Sequence, residues 1–269
     1  MTIAGVCLVS LAGASWAAAP DMALTRFDCG KTAELPDVSR FSDTAAFGGL
    51  KVPFTFSCYL VKHGEDYLLW DAGHPPASAP NAPPNAPKAS LVEQLAQLHM
   101  KPEQIKYVAV SHYHGDHVGQ IASFPQATLL IGKGDWEVLT SASPLPGANP
   151  ANFAHWISGG GKVEPVVGDK DVFGDGSVIL LNTPGHTPGH HSLLVKLKDM
   201  GNVMITGDVA HFRENYDTNG VPTFNTDRAD SLASLDRFKK LAGNLKATVI
   251  IQHDARDIDK LPVLPASAK

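Results

Sequence analysis

The stretch Ser111-His112-Tyr113-His114-Gly115-Asp116-His117 constrains this chain more than any other part of it. It follows Tyr107-Val108-Ala109-Val110, a short apolar run that predicts a buried strand over 107–110. Alternation continued past the strand end places His112 and His114 on one side, where they can share one cation. The chain is then expected to turn at Gly115, whose missing Cβ permits tight geometry, and so to deliver Asp116 and His117 to a second position. Imidazole and carboxylate donors suit zinc and similar borderline cations. A polar turn whose histidines merely find hydrogen bonds explains any one of these residues, but not four together after a buried strand.

Three later segments supply what this one lacks. Asn182-Thr183-Pro184-Gly185-His186-Thr187-Pro188-Gly189-His190 follows a predicted strand over 178–181 and holds His186 between two rigid turns, as a third imidazole for the first cation. His190 reads as a hydrogen-bonding support, or as a polar residue that starts a strand, rather than as a ligand. Met204-Ile205-Thr206-Gly207-Asp208 ends a strand in a carboxylate able to bridge two cations, and Val249-Ile250-Ile251-Gln252-His253 ends one in an imidazole for the second. Gly-Asp and a strand-end histidine are each weak signals alone. Their weight comes from falling, in order, behind the first motif.

The rest of the chain alternates strands with helices. Residues 57–71 read as a β-hairpin around a His-Gly-Glu-Asp tip, and 75–87, dense in Pro, Ala and Asn, as a loop. Leu91, Leu95 and Leu98 predict a helix capped by Ser90 and ending near 101–102. Further strands are expected over 128–131, 163–167, 192–197, 203–206 and 248–251, with helices over 133–139 and 227–241. The fold class is therefore α/β, with helices covering the outer faces of the sheets and functional residues at strand ends. Segments 141–161 and 209–226 match neither period, yet carry Phe153, Trp156, Ile157, Phe212, Tyr216 and Phe224. These side chains either line a substrate pocket or pack against the core.

The chain of 269 residues is 43% hydrophobic and 18% charged, which is ordinary for a globular protein. With 22 Lys and Arg against 27 Asp and Glu, the net charge of −5 and the lack of a basic run argue against a nucleic-acid partner. An apolar run over 3–11 and small residues over 12–19 resemble a secretory leader, so 1–19 is expected to be a signal peptide, 20–269 a single domain, and the location periplasmic or secreted. No apolar run is long enough for stable membrane insertion. Cys29 and Cys58 then remain, either as a disulfide suited to an oxidising compartment or as two buried thiols. Monomer and homodimer are both open.

On these motifs the chain resembles the metallo-β-lactamase superfamily, which implies an αββα sandwich of two mixed sheets flanked by helices. The resemblance implies that His112, His114 and His186 hold one metal, that Asp116, His117 and His253 hold the other, and that Asp208 bridges them. Asp71 in Trp-Asp-Ala-Gly matches an early Asp that supports the site from behind the ligands. Two divalent cations are implied, zinc ahead of iron, cobalt or manganese. Within the superfamily, Ser57-Cys58-Tyr59-Leu60, Leu69-Trp70-Asp71-Ala72-Gly73, Thr183 through Ser192, and Gly207-Asp208 followed by Phe212-Arg213-Glu214-Asn215-Tyr216 are most similar to the N-acyl homoserine lactonases. That likeness implies hydrolytic opening of a small lactone, as in quorum quenching, by a water that the two cations activate, with Asp116 moving a proton to the leaving alkoxide. Some lactonases carry a tyrosine three residues after the bridging Asp, where this chain has His211, an alternative donor to the substrate carbonyl or a plain loop histidine. The competing readings are a β-lactamase, a thioester hydrolase or a broad esterase on the same scaffold, with a phosphodiesterase behind them for want of basic groups. From a different class comes a noncatalytic metal-binding protein.

Overall fold

In the computed structural model, which describes residues 20–32 and 37–269, the expected leader over 1–19 lies outside the described residues. Six strands form the first sheet in chain order: β1 (Met22–Lys31), β2 (Thr55–His63), β3 (Asp66–Trp70), β4 (Tyr107–Ala109), β5 (Thr128–Gly132) and β6 (Val163–Val166). β1 to β3 are antiparallel neighbours, whereas β3 to β6 run parallel. The second sheet contains β7 (Lys170–Asp171), β8 (Val178–Asn182), β9 (His191–Leu197), β10 (Gly201–Ile205) and β11 (Thr248–Ile250), in the order β11-β10-β9-β8-β7. Its pairs are antiparallel except for β10 with β11. Both sheets are mixed. The helices are α1 (Leu91–Gln97), α2 (Gly115–Val118), α3 (Lys133–Leu139), α4 (Ala154–Ile157), α5 (Arg213–Thr218) and α6 (Arg228–Asn244).

Strand alternation sets the layers. On β3, Leu68 and Trp70 point between the sheets, where they meet Leu193, Val195, Val203 and Ile205 from β9 and β10. Leu69 points the other way, into a layer with Leu91 and Leu95 of α1 and with Leu139 of α3. On the far side, Leu194 and Met204 pack under Phe238 and Ala242 of α6. The result is helix, sheet, sheet, helix, as expected for an αββα sandwich. Helices cover the outer faces of both sheets, which leaves the strand ends to carry chemistry.

Several local expectations change. β1 is not legible in the sequence, because Arg26 and Asp28 interrupt its apolar pattern, yet Leu24, Phe27 and Cys29 are wholly buried. Ser90 does cap α1 through a reciprocal box with Glu93. The helix nevertheless stops at Gln97 rather than near 101–102, because His99 adopts a left-handed φ of 56° and the Met100 amide bonds back to the Leu95 carbonyl. Segments 141–161 and 209–226 contain the short helices α4 and α5. Cys29 and Cys58, on neighbouring strands with Cα atoms 6.0 Å apart, form a disulfide.

Candidate metal centre

Five strands end at one edge of the sandwich, and within four residues of each end a polar side chain turns inward. β4 leads into Ser111 and His112, β8 into the loop with His186, β10 into Asp208, β11 into His253, and β3 into Asp71. Asp71 holds a left-handed φ of 59°, a costly conformation for a residue with a Cβ that concentrates at functional sites. Four hydrogen bonds fix it. Its carboxylate accepts from the Ser111 amide at 2.6 Å, the Ser111 hydroxyl at 3.0 Å, the Gln252 amide group at 2.6 Å and His117 Nδ1 at 2.8 Å.

Two groups of donor atoms converge there: His112, His114, His186 and Asp208 in one, and Asp116, His117 and His253 in the other. In the first, His112 Nε2, His114 Nδ1 and His186 Nε2 lie 2.9 to 3.2 Å from one another. In the second, His117 Nε2 faces His253 Nε2 at 3.1 Å. The Asp208 carboxylate divides between the groups. Its Oδ2 lies 3.3 Å from His186 Nε2 and 3.6 Å from His112 Nε2, while its Oδ1 lies 3.3 Å from His117 Nε2 and 2.9 Å from His253 Nε2.

Hydrogen bonding on the outer ring nitrogens tests whether cations fit. His117 Nδ1 donates to Asp71, His253 Nδ1 to the Thr55 carbonyl at 3.0 Å, and His186 Nδ1 to Asn225 Oδ1 at 2.8 Å. A neutral imidazole that donates from Nδ1 presents a lone pair at Nε2. Lone pairs therefore meet lone pairs across about 3 Å, an arrangement that repels unless positive charge sits between them. Asp208 Oδ1 is buried and lacks a hydrogen bond, a second sign of a missing cationic partner. Electrostatics agrees. Burial holds the His112 pKa well below the usual histidine range and brings His114 down to about 4, so both are neutral donors. Burial also disfavours charge on His117, but Asp208, Asp116 and Asp71 outweigh it and raise its pKa, so positive charge is wanted at that nitrogen. The residues present fit a dinuclear metal centre with Asp208 between its halves.

His190 supports the bridge without touching a cation position. Its Nε2 accepts the Asp208 amide at 2.8 Å and its Nδ1 meets the Thr183 carbonyl at 2.9 Å, which fixes the neutral tautomer. Gly115 plays a different part from the one expected. It opens α2 with an ordinary φ, and a Cβ there would meet nothing within 4 Å, so Asp116 and His117 are delivered by a helical turn and not by a glycine-dependent bend.

A cavity of about 570 Å³ opens over the centre, lined on its apolar side by Phe41, Phe54, Phe56 and Phe224. Of the six aromatic and apolar candidates, Phe224 alone lines it. Phe153, Trp156 and Phe212 are buried in the core, because the 141–161 and 209–226 segments fold back onto the first sheet. Ile157 is exposed, and Tyr216 packs edge-on against Phe238 of α6. Sequence reading passed over Phe41, Phe54 and Phe56, which precede or begin β2 and carry no local motif; Arg40, whose guanidinium covers the Phe224 ring at 4.5 Å, was equally silent. His211 does line the cavity, with Nε2 at 3.2 Å from Asp208 Oδ2 and with Nδ1 buried and unpartnered.

The family described as the metallo-beta-lactamase superfamily matches residues 53–253. The chain is 31% identical over 179 residues to the N-acyl homoserine lactonase AttM of Rhizobium radiobacter, covering 61% of this chain and 63% of that relative, so it spans somewhat under two thirds of that protein. It is 29% identical over 222 residues to an N-acyl homoserine lactonase of a Bacillus species, covering 77% and 84% of the two chains. A crystal structure of a quorum-quenching N-acyl homoserine lactone lactonase superposes with a TM-score of 0.72 at 26% identity, covering 91% of this chain and 97% of the other.

Proposed function

The chain belongs to the metallo-beta-lactamase superfamily, and from that membership we propose that it is a dinuclear metal-dependent hydrolase that opens the lactone ring of N-acyl homoserine lactones. The observation that carries this reading is the division of the Asp208 carboxylate between two ligand groups at the floor of a phenylalanine-lined cavity. His112, His114 and His186 would hold one cation, and Asp116, His117 and His253 the other. Bound divalent cations, zinc first among those suited to these donors, supply Lewis acidity and bring the pKa of water toward neutrality.

The chain's own groups do the remaining work. Phe41, Phe54, Phe56 and Phe224 offer an apolar wall for an acyl tail while leaving the polar ring over the floor. His211 directs Nε2 toward Asp208 at the same floor, where an N–H donates to the carbonyl oxygen as it gains negative charge. Asp116, whose carboxylate is partly exposed to the cavity, takes the proton released when water adds to the carbonyl and returns it to the leaving ring oxygen. Water thus contributes hydroxyl to the new carboxylic acid and a proton to the new alcohol, and the acid then ionises and releases the proton that an assay reads. The division of the Asp208 carboxylate between the two donor groups disfavours the β-lactamase alternative, and the relatives named above support a lactone. The Cys29–Cys58 disulfide supports a periplasmic or secreted location, where such bonds persist.

The test is a substrate panel on purified, metal-loaded protein: acyl homoserine lactones of graded chain length, a penicillin, a carbapenem, a thioester and a phosphodiester. Acid release from the lactones above all others is expected. Rapid β-lactam turnover without lactone opening would contradict the proposal.

A further inference from the structure

Asp135, in the first turn of α3, is 0% exposed, and no lysine or arginine among the described residues pairs with it. A buried carboxylate is costly unless hydrogen bonds replace its water. Here Oδ2 accepts the Thr187 hydroxyl at 2.9 Å and Oδ1 accepts the Gly189 amide at 2.7 Å. Thr187 follows His186, and Gly189 lies three residues beyond it. One side chain therefore pins the loop that carries His186, without a hydrogen bond to that imidazole itself.

Packing makes the junction rigid. A Cβ on Gly132 would stand 1.8 Å from the Gly189 carbonyl oxygen, and one on Gly189 would stand 2.4 Å from the Asp135 amide nitrogen. Backbone meets backbone there, so the loop after His186 has no room to settle elsewhere while Asp135 holds it. Among the described residues Asp135 makes no hydrogen bond to the second group: His117 is oriented by Asp71 and His253 by the Thr55 carbonyl, far from α3 in the chain.

We propose that Asp135 is a positioning residue that sets the placement of His186 against His112 and His114, so that one of the two cations depends on it and the other does not. The inference rests on the dinuclear reading of the site. Loss of a support behind metal ligands typically weakens binding by about 10- to 100-fold, and a loss of that size is expected at the one position.

The experiment measures Zn²⁺ affinity by competition with a chromophoric chelator in two backgrounds, each retaining one intact triad. In His253→Ala, the surviving cation sits on His112, His114 and His186, and adding Asp135→Ala should weaken it by about 10- to 100-fold. In His114→Ala, the survivor sits with Asp116, His117 and His253, and the same addition should leave its affinity within about twofold. Asp135→Asn, which keeps the size and one acceptor, should fall between wild type and Asp135→Ala, and it carries the test alone if the alanine variant does not fold. Equal weakening in both backgrounds would mark Asp135 as a general structural brace and overturn the inference, as would no weakening in either. Failure of the parent protein to bind Zn²⁺ at all would overturn the dinuclear reading itself, which separates the two failures.

Discussion

Asp208 and His211 lie three residues apart after β10, yet their environments assign them opposite tasks. Burial opposes ionisation of Asp208, but His253, His117, His211 and His112 face it and hold its carboxyl well below the usual range, so it stays anionic between two sets of lone pairs. His211 is likewise buried, and burial lowers its pKa, so it is a neutral ring suited to donating one N–H at a time. Replacing His211 with alanine removes a donor from the position where an oxyanion would form. The expected loss in kcat is about 100-fold, or about 2.7 kcal/mol, with the bound metal count unchanged. Steady-state lactone kinetics beside metal analysis checks this, and unchanged turnover would return His211 to the role of a loop histidine. The ligand positions were readable because each follows a short apolar run, which gives a residue type and a strand end together. The phenylalanine wall was not, since Phe41, Phe54 and Phe56 meet Phe224 only through tertiary contact. Asp135 left no sign either, because a buried aspartate in the first turn of a helix looks the same as an exposed one there.

Elements show a similar division. β2, β3, β8 and β9 match their predicted spans closely, because short apolar runs bounded by turn residues are a strong signal. β1 was obscured by Arg26, whose side chain is absorbed by Ser57 and Thr55 hydroxyls on the neighbouring strand, and by the leader-like segment before it. The turn joining β7 to β8 carries a testable charge. Burial tends to raise the Asp175 pKa, but the Ser177 hydroxyl and amide and the His63 ring outweigh it and bring it down to about 2. A carboxyl whose folded pKa lies below its unfolded value, about 3.9, stabilises the fold above that value and loses its contribution as pH falls toward 2. Its side chain is 37% exposed, so solvent screening holds the effect to about 0.5–1 kcal/mol. Chemical denaturation of wild type and Asp175→Asn should therefore differ at pH 5 and converge as the pH approaches 2. A difference that grows on acidification would contradict this.

At the scale of the whole molecule, the sandwich brings five strand ends to one edge, and the disulfide ties β1 to β2 close to that edge. Its two cysteines are separated by 29 residues, for which loop-closure entropy predicts a contribution of about 3–4 kcal/mol. A Cys29→Ala/Cys58→Ala protein should lose about that much by denaturant unfolding, and no loss would show that packing of β1 alone secures the edge. The centre itself makes the larger demand on the fold, since five imidazoles and two carboxylates converge there from strand ends in both sheets. The most direct test of the central claim is to titrate Zn²⁺ into metal-free protein while recording bound ions and the opening of an acyl homoserine lactone in the same samples. Saturation at two ions per chain, with ring opening rising as the sites fill and vanishing in Asp208→Ala, is the predicted result. Lactone opening that persists in excess chelator, or saturation with metal and no hydrolysis of any lactone, would contradict it.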